Sequence, residues 1–147
     1  MGVSFAVITS AYGRQSQGTV RPHLLDLPVS QYGVDMADHT DDLRLAHILA
    51  DDADSLTMSR FGARDLTVST KPDHSEVTDA DLAVEDSVRR TLSRMRSRDA
   101  VHGEERADTG DGPRRWIIDP IDGTANFLRG VPVWATCLLY TSPSPRD

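Results

Sequence analysis

The stretch Trp116-Ile117-Ile118-Asp119-Pro120-Ile121-Asp122-Gly123-Thr124-Ala125-Asn126-Phe127 decides how this chain is read. Its first half is a buried-strand pattern that delivers Asp119 to the strand's C-terminal end, the usual ligand-binding edge of open α/β sheets. Pro120 has no N–H, so it is expected to stop the ladder there and stiffen the turn. Asp122 can converge with Asp119, giving hard oxygen ligands suited to Mg²⁺. Gly123 permits a tight backbone, and Thr124 sits where a short helix can begin and point free N–H groups at an anion. Taken alone, the segment also reads as a polar turn after a strand, with Asp122-Gly123 serving only as turn chemistry.

Working outward, the run DDLRLAHILADDADSLTMSRF, entered at Thr40 or Asp41, reads as a helix. Leu45, Leu49 and Leu56 fall on one stripe, with Ile48 beside it. Residues 66–70 are a short strand candidate, followed by a polar turn over 71–75. Thr78 caps a second helix whose apolar stripe is Val84, Val88, Leu92 and Met95. Its basic residues Arg89, Arg90, Arg94, Arg96 and Arg98 cluster late, where they suit the helix dipole, and a solvated helix end explains them better than a phosphate patch. Residues 100–102 read as a strand leading into Gly103-Glu104-Glu105, residues 106–113 as a turn, and residues 131–136 as the start of a further strand. Helices first and strands later suit a layered α/β or α+β arrangement rather than regular βαβ units.

Composition narrows the class. At 147 residues the chain is ordinarily one domain, and 38% hydrophobic with 27% charged residues is a soluble globular balance. No apolar run approaches the roughly 18 residues of a membrane span. The N-terminus lacks the basic region of a secretory signal, and Ala6 stands where a myristoylation pattern wants Ser or Thr. The single cysteine, Cys137, rules out an internal disulfide framework and is compatible with a reducing compartment, so a cytoplasmic protein is expected. A net charge of −7 argues against nucleic acid or an anionic membrane as partner. It would also repel phosphate, a conflict that bound divalent cations resolve by inverting the local sign.

Two further acids stand upstream. Glu104 follows a strand and Gly103, a position from which it can bridge metals, and Asp81 opens the second helix. Singly they read as a surface acid and a favourable first-turn charge. Together, however, these segments resemble the inositol monophosphatase family. The pattern Asp-Pro-Ile-Asp-Gly-Thr-x-Asn-Phe, preceded by Trp and two apolar residues, stands at residues 116–127. The Gly-Glu-Glu element stands at 103–105 and Val-Thr-x-x-Asp at 77–81. Ala125 occupies a position where the family often has Thr or Lys.

The resemblance covers about residues 40–136. It implies the N-terminal part of the layered sandwich of inositol monophosphatases and fructose-1,6-bisphosphatases, and a Mg²⁺-dependent phosphomonoesterase acting on a small phosphorylated substrate. Glu104, Asp119 and the carbonyl of Ile121 would hold one metal, Asp119 would bridge to a second bound also by Asp122, and Asp81 would act near a third. Thr124 with Glu104 would orient the attacking water, and the Gly123 and Thr124 N–H groups would bind phosphate. Cys137 and the five histidines have no metal-ligand spacing and read as structural.

Within the family the chain is most similar to bacterial histidinol-phosphatases, through Asp42-Leu43-Arg44-Leu45-Ala46, Thr70-Lys71-Pro72-Asp73 and residues 127–136. Histidinol phosphate, converted to histidinol in histidine biosynthesis, is thus the expected substrate, with inositol monophosphate or a sugar bisphosphate as alternatives. A homodimer is implied for the intact family member.

Residues 1–35 read as an irregular extension, either preceding a true start at Met36 or forming a flexible arm. Residues 36–136 read as the N-terminal part of the phosphatase domain, and 137–147 as a tail outside the family pattern, since Ser142-Pro143-Ser144-Pro145 cannot continue a central strand. The resemblance puts a Trp-Asp element completing the second metal site beyond that point. The 147 residues alone are therefore expected to expose a sheet edge and an apolar face, with low stability and little activity.

Overall fold

A computed structural model describes residues 3–10 and 40–142. In chain order the elements are β1 (Val3–Ser10), α1 (Thr40–Arg60), β2 (Val68–Thr70), β3 (Glu76–Thr78), α2 (Asp79–Met95), β4 (Ala100–Gly103), β5 (Arg115–Asp122), α3 (Thr124–Leu128) and β6 (Ala135–Ser142). Four strands form one sheet in the order β1-β6-β5-β4, and β2 and β3 form a separate hairpin. Within the sheet only β4 and β5 run parallel. Helices laid on a mixed sheet make this the expected layered α+β arrangement. Among the described residues no helix is long and apolar enough to cross a membrane.

Strand alternation supplies the sheet's half of the core. Trp116 and Ile118 of β5 lie opposite Tyr140 and Leu138 of β6, and all four are buried on one face. Leu45, Leu49, Val84, Val88 and Leu92 of the two long helices close over them. Full burial of each such Leu or Val contributes about 1.5–3 kcal/mol. Ala46, Ala50 and Ala53 are buried on the same side of α1, so small side chains allow the helices to approach closely. A partly buried ion pair joins their ends: Arg96 Nε donates to Asp42 Oδ1 at 2.8 Å.

Several expectations need correction. Ile48 and Met95 are 56% and 58% exposed. The face α1 turns inward centres on Leu45, Leu49 and Ala53, which carries Ile48 to the outside, and Met95 is the last residue of α2, beyond the packed turns. Arg89 and Arg96 are not simply solvated, since each pairs with a buried carboxylate, Glu85 and Asp42 respectively. Pro120 does not end its strand. β5 continues to Asp122 through a register shift between Asp119 and Asp122, where an irregular ladder tolerates the missing donor.

The last strand begins at Ala135 rather than 131, after an exposed Val131 and Val133. It runs through residues 137–142, in the segment expected to be a tail, because Cys137, Leu138, Leu139, Tyr140 and Thr141 pair with β5. Part of the segment read as irregular, Val3–Ser10, pairs antiparallel with β6. Residues 11–39, including Met36, and 143–147 lie outside the described residues.

Candidate active site

The parallel pairing of β4 and β5 brings the acids together. Gly103 stands opposite Ile118, and the Glu104 N–H donates to the Ile118 carbonyl at 3.1 Å, so Glu104 and Asp119 leave neighbouring strands side by side. Asp119 is half-buried, and its Oδ1 has no hydrogen-bond partner. Burial pushes its carboxyl up to about 7, helped by the charge of Glu104, a hydrogen bond to Glu104, and the charges of Asp122 and Asp81.

The bulge then turns the chain. The Thr136 hydroxyl donates to the Pro120 carbonyl at 2.7 Å and pins the irregular ladder from β6. Ile121 is buried and Asp122 exposed. Gly123 has φ +93°, and a Cβ there would lie 3.2 Å from the Val133 carbonyl oxygen, so both conformation and space favour glycine. Next comes the five-residue α3, whose first N–H groups have no intrahelical acceptor. Phe127 anchors it: its ring lies 5.5 Å from Phe61 and 5.2 Å from Trp134. This second cluster, with Ile121 and Ala80, forms the floor beneath the turn.

Thr124 faces the start of α2. Its hydroxyl is 2.9 Å from the Ile121 carbonyl and 3.3 Å from Asp81 Oδ1. Asp81 is almost fully buried within a capping box, its Oδ2 accepting from Thr78 N at 2.8 Å and Thr78 Oγ1 at 2.6 Å. Burial raises its pKa against the lowering effect of these bonds.

Lys71, to which the sequence motifs assign no role, also reaches the site. From the turn between β2 and β3, its ammonium donates to Glu104 Oε1 at 2.8 Å and to Glu105 Oε1 at 2.7 Å. Burial alone would lower the lysine, but the hydrogen bonds and charges of the two glutamates outweigh it and hold it above its ordinary value.

The structure thus brings Glu104 beside Asp119, and Thr124 beside Asp81 and the Ile121 carbonyl. It does not close a cage. Among the described residues no three His, Cys, Asp or Glu side chains are grouped to hold a metal. Asp122 is exposed beyond the bulge, and Lys71 draws Glu104 to itself. The donor set nevertheless fits a hard divalent cation. Every donor is oxygen, Asp119 Oδ1 lacks a partner, and a lysine ammonium already stands as the cation at Glu104.

Glu85 was also missed. This fully buried acid of α2 bonds the loop that carries Glu104. Its sequence signal is an acid one residue after Val84 and three before Val88, on the apolar face of an otherwise amphipathic helix.

Residues 39–141 match the inositol monophosphatase family. The chain is 63% identical over 103 residues to a histidinol-phosphatase of Streptomyces coelicolor, covering 70% of this chain and 39% of that protein. To a histidinol-phosphatase of Mycobacterium tuberculosis it is 61% identical over 99 residues, covering 67% and 38%. The solved structure of an IMPase from Thermotoga maritima superposes with a TM-score of 0.64 at 30% identity, covering 69% of this chain and 40% of that one. The chain spans about two fifths of the length of these relatives. The match takes in β6 to residue 141, five residues past the boundary expected from the motifs. With the match spanning most of its length, the chain belongs to the inositol monophosphatase family.

Proposed function

We propose that this chain carries the front part of the active site of a Mg²⁺-dependent phosphomonoesterase, with histidinol phosphate as its substrate. The observation that carries the reaction class is the juxtaposition of the Glu104–Asp119 pair with a Thr124 hydroxyl braced by Asp81 and the Ile121 carbonyl. The high identity to two histidinol-phosphatases supports the substrate.

Mg²⁺ ions, one held by Glu104, Asp119 and the Ile121 carbonyl and a second by Asp119 and Asp122, would neutralise phosphate charge and ease ionisation of the attacking water. The chain's own groups do the positioning. Thr124 Oγ1 has one proton and two acceptors within reach, the Ile121 carbonyl and Asp81 Oδ1. That proton is committed inward, so the oxygen's lone pairs are left to accept a hydrogen bond from a water. Glu104 accepts the other proton of the same water and acts as general base. Asp81 fixes the hydroxyl's orientation, and the Gly123 and Thr124 N–H groups at the start of α3 donate to the phosphate. The reaction is a step of histidine biosynthesis, catalysed by a cytoplasmic homodimer.

Residues 40–141 joined to the remaining segment of the Streptomyces coelicolor relative provide the test. Phosphate release in Mg²⁺ is measured from histidinol phosphate and from inositol 1-phosphate. A clear preference in kcat/KM for histidinol phosphate is expected. Equal or reversed preference would sink the substrate assignment, and a well-folded chimera that cleaves neither would sink the phosphatase reading.

A further inference from the structure

We infer that Glu85 is a positioning residue for the metal ligand Glu104, acting through the backbone of the loop that carries it. The inference rests on the proposed metal site. Glu85 lies one helical turn after Asp81 and is fully buried. Its Oε2 accepts the N–H of Glu105 at 2.7 Å, and its Oε1 accepts the N–H of Arg106 at 3.1 Å. Arg89 Nε donates to Oε1 at 2.7 Å and supplies the counter-charge.

The Glu104 peptide is therefore held from both sides. Its own N–H is fixed to Ile118 of β5, and the next N–H is fixed to Glu85 of α2. Gly103 makes room for this arrangement, since a Cβ there would sit 2.0 Å from Glu85 Oε1. A carboxylate already tied to two backbone donors and an arginine cannot simply swing away. Residues 104–106 have no helix or strand of their own, so the buried acid takes the place of regular structure in setting where Glu104 points. Outer partners of this kind typically change metal affinity by roughly 10- to 100-fold when removed.

The test is Mg²⁺ titration calorimetry on the 147-residue chain, with melting followed by circular dichroism. The variants are Glu85→Gln, Gly103→Ala, Asp119→Asn and Asp86→Asn. Glutamine keeps the shape but presents an N–H₂ where an acceptor is needed, and alanine at 103 displaces the acid without altering it. Among the described residues Asp86 hydrogen-bonds the Arg106 guanidinium at the surface, so it reports on the loop without touching the backbone clamp. The expected result is Mg²⁺ binding about 10- to 100-fold weaker in Glu85→Gln and Gly103→Ala, wild-type affinity in Asp86→Asn, and no binding in Asp119→Asn. If both test variants fold and bind as wild type while Asp119→Asn does not bind, the positioning role fails and the metal site stands. If wild type does not bind, or Asp119→Asn binds equally well, the metal site fails and this inference with it. If Glu85→Gln does not fold, Gly103→Ala decides. If neither folds, Glu85 serves the fold as a whole and the positioning role is overturned.

Discussion

The hydroxyl of Thr124 lies 3.3 Å from Oδ1 of Asp81, joining the first turns of α3 and α2 across 43 residues of sequence. Asp81 is in turn fixed by Thr78 through the capping box, so a helix cap and the proposed water-orienting group form one connected unit. Thr124→Val keeps the side-chain shape but removes this link. In the chimera with the Streptomyces segment, kcat is expected to fall by about 10²- to 10⁴-fold, with KM changing far less. Thr124→Ser should retain most of the rate. Steady-state phosphate release checks both, and a Thr124→Val enzyme with near-normal kcat would remove threonine from the mechanism.

Asp119 predicts how the metal-free chain responds to pH. Its carboxyl titrates near 7 when folded, against an ordinary value of 3.8. A group with a raised folded pKa contributes its stability below the unfolded value and loses it as pH rises through the folded one. Thermal melts in EDTA should therefore show the melting temperature falling between pH 5 and pH 8. Asp119→Asn should flatten part of that fall. Mg²⁺ should raise the wild-type melting temperature more at pH 8 than at pH 5, because binding requires the deprotonated ligand. An Asp119→Asn variant with the wild-type slope would contradict this assignment.

Lys71 ties the β2–β3 turn to Glu104 and Glu105. In the metal-free chain, Lys71→Met should cost about 1–3 kcal/mol, because it leaves the nearly buried Glu105 carboxylate without its partner. Its clearer effect is local: amide hydrogen exchange over residues 71–75 should quicken in the variant. Adding Mg²⁺ to wild type should quicken the same amides by competing for Glu104. Unchanged exchange in both cases would show that the turn is held by other contacts.

The phase of α1 gives a contrast between neighbouring residues. Leu49 is 1% exposed and Ile48 is 56% exposed. Leu49→Ala should cost about 2–5 kcal/mol, from lost transfer energy and the cavity left behind. Ile48→Ala should stay within about 0.5 kcal/mol, as an exposed change that touches no special feature. Urea unfolding measures both, and similar costs would mean the helix packs with a different face.

That contrast also marks what could be read from the chain alone. Leu45, Leu49, Val84, Val88 and Leu92 follow the helix period, and Thr78 is a local cap, so α1 and α2 were legible. The sides of the stripes were not. Whether Ile48 or Ala53 faces inward depends on the partner surface, which periodicity does not describe. Motif resemblance pointed to Asp81, Glu104, Asp119 and Thr124, which the fold brings close to one another. Lys71 and Glu85 were missed because their contacts close across 33 and 20 residues respectively. The β1–β6 pairing was hidden for the same reason. Pro120 misled because its usual effect on a ladder is absorbed by the bulge.

The central claim is that the Glu104–Asp119 pair serves metal-dependent hydrolysis of a phosphomonoester. Its most direct test is Mg²⁺-dependent phosphate release from histidinol phosphate by the chimera, compared with its Asp119→Asn variant. The expected result is turnover that is abolished by EDTA, restored by Mg²⁺ and absent in Asp119→Asn. Full turnover by Asp119→Asn, or turnover unaffected by EDTA, would contradict it.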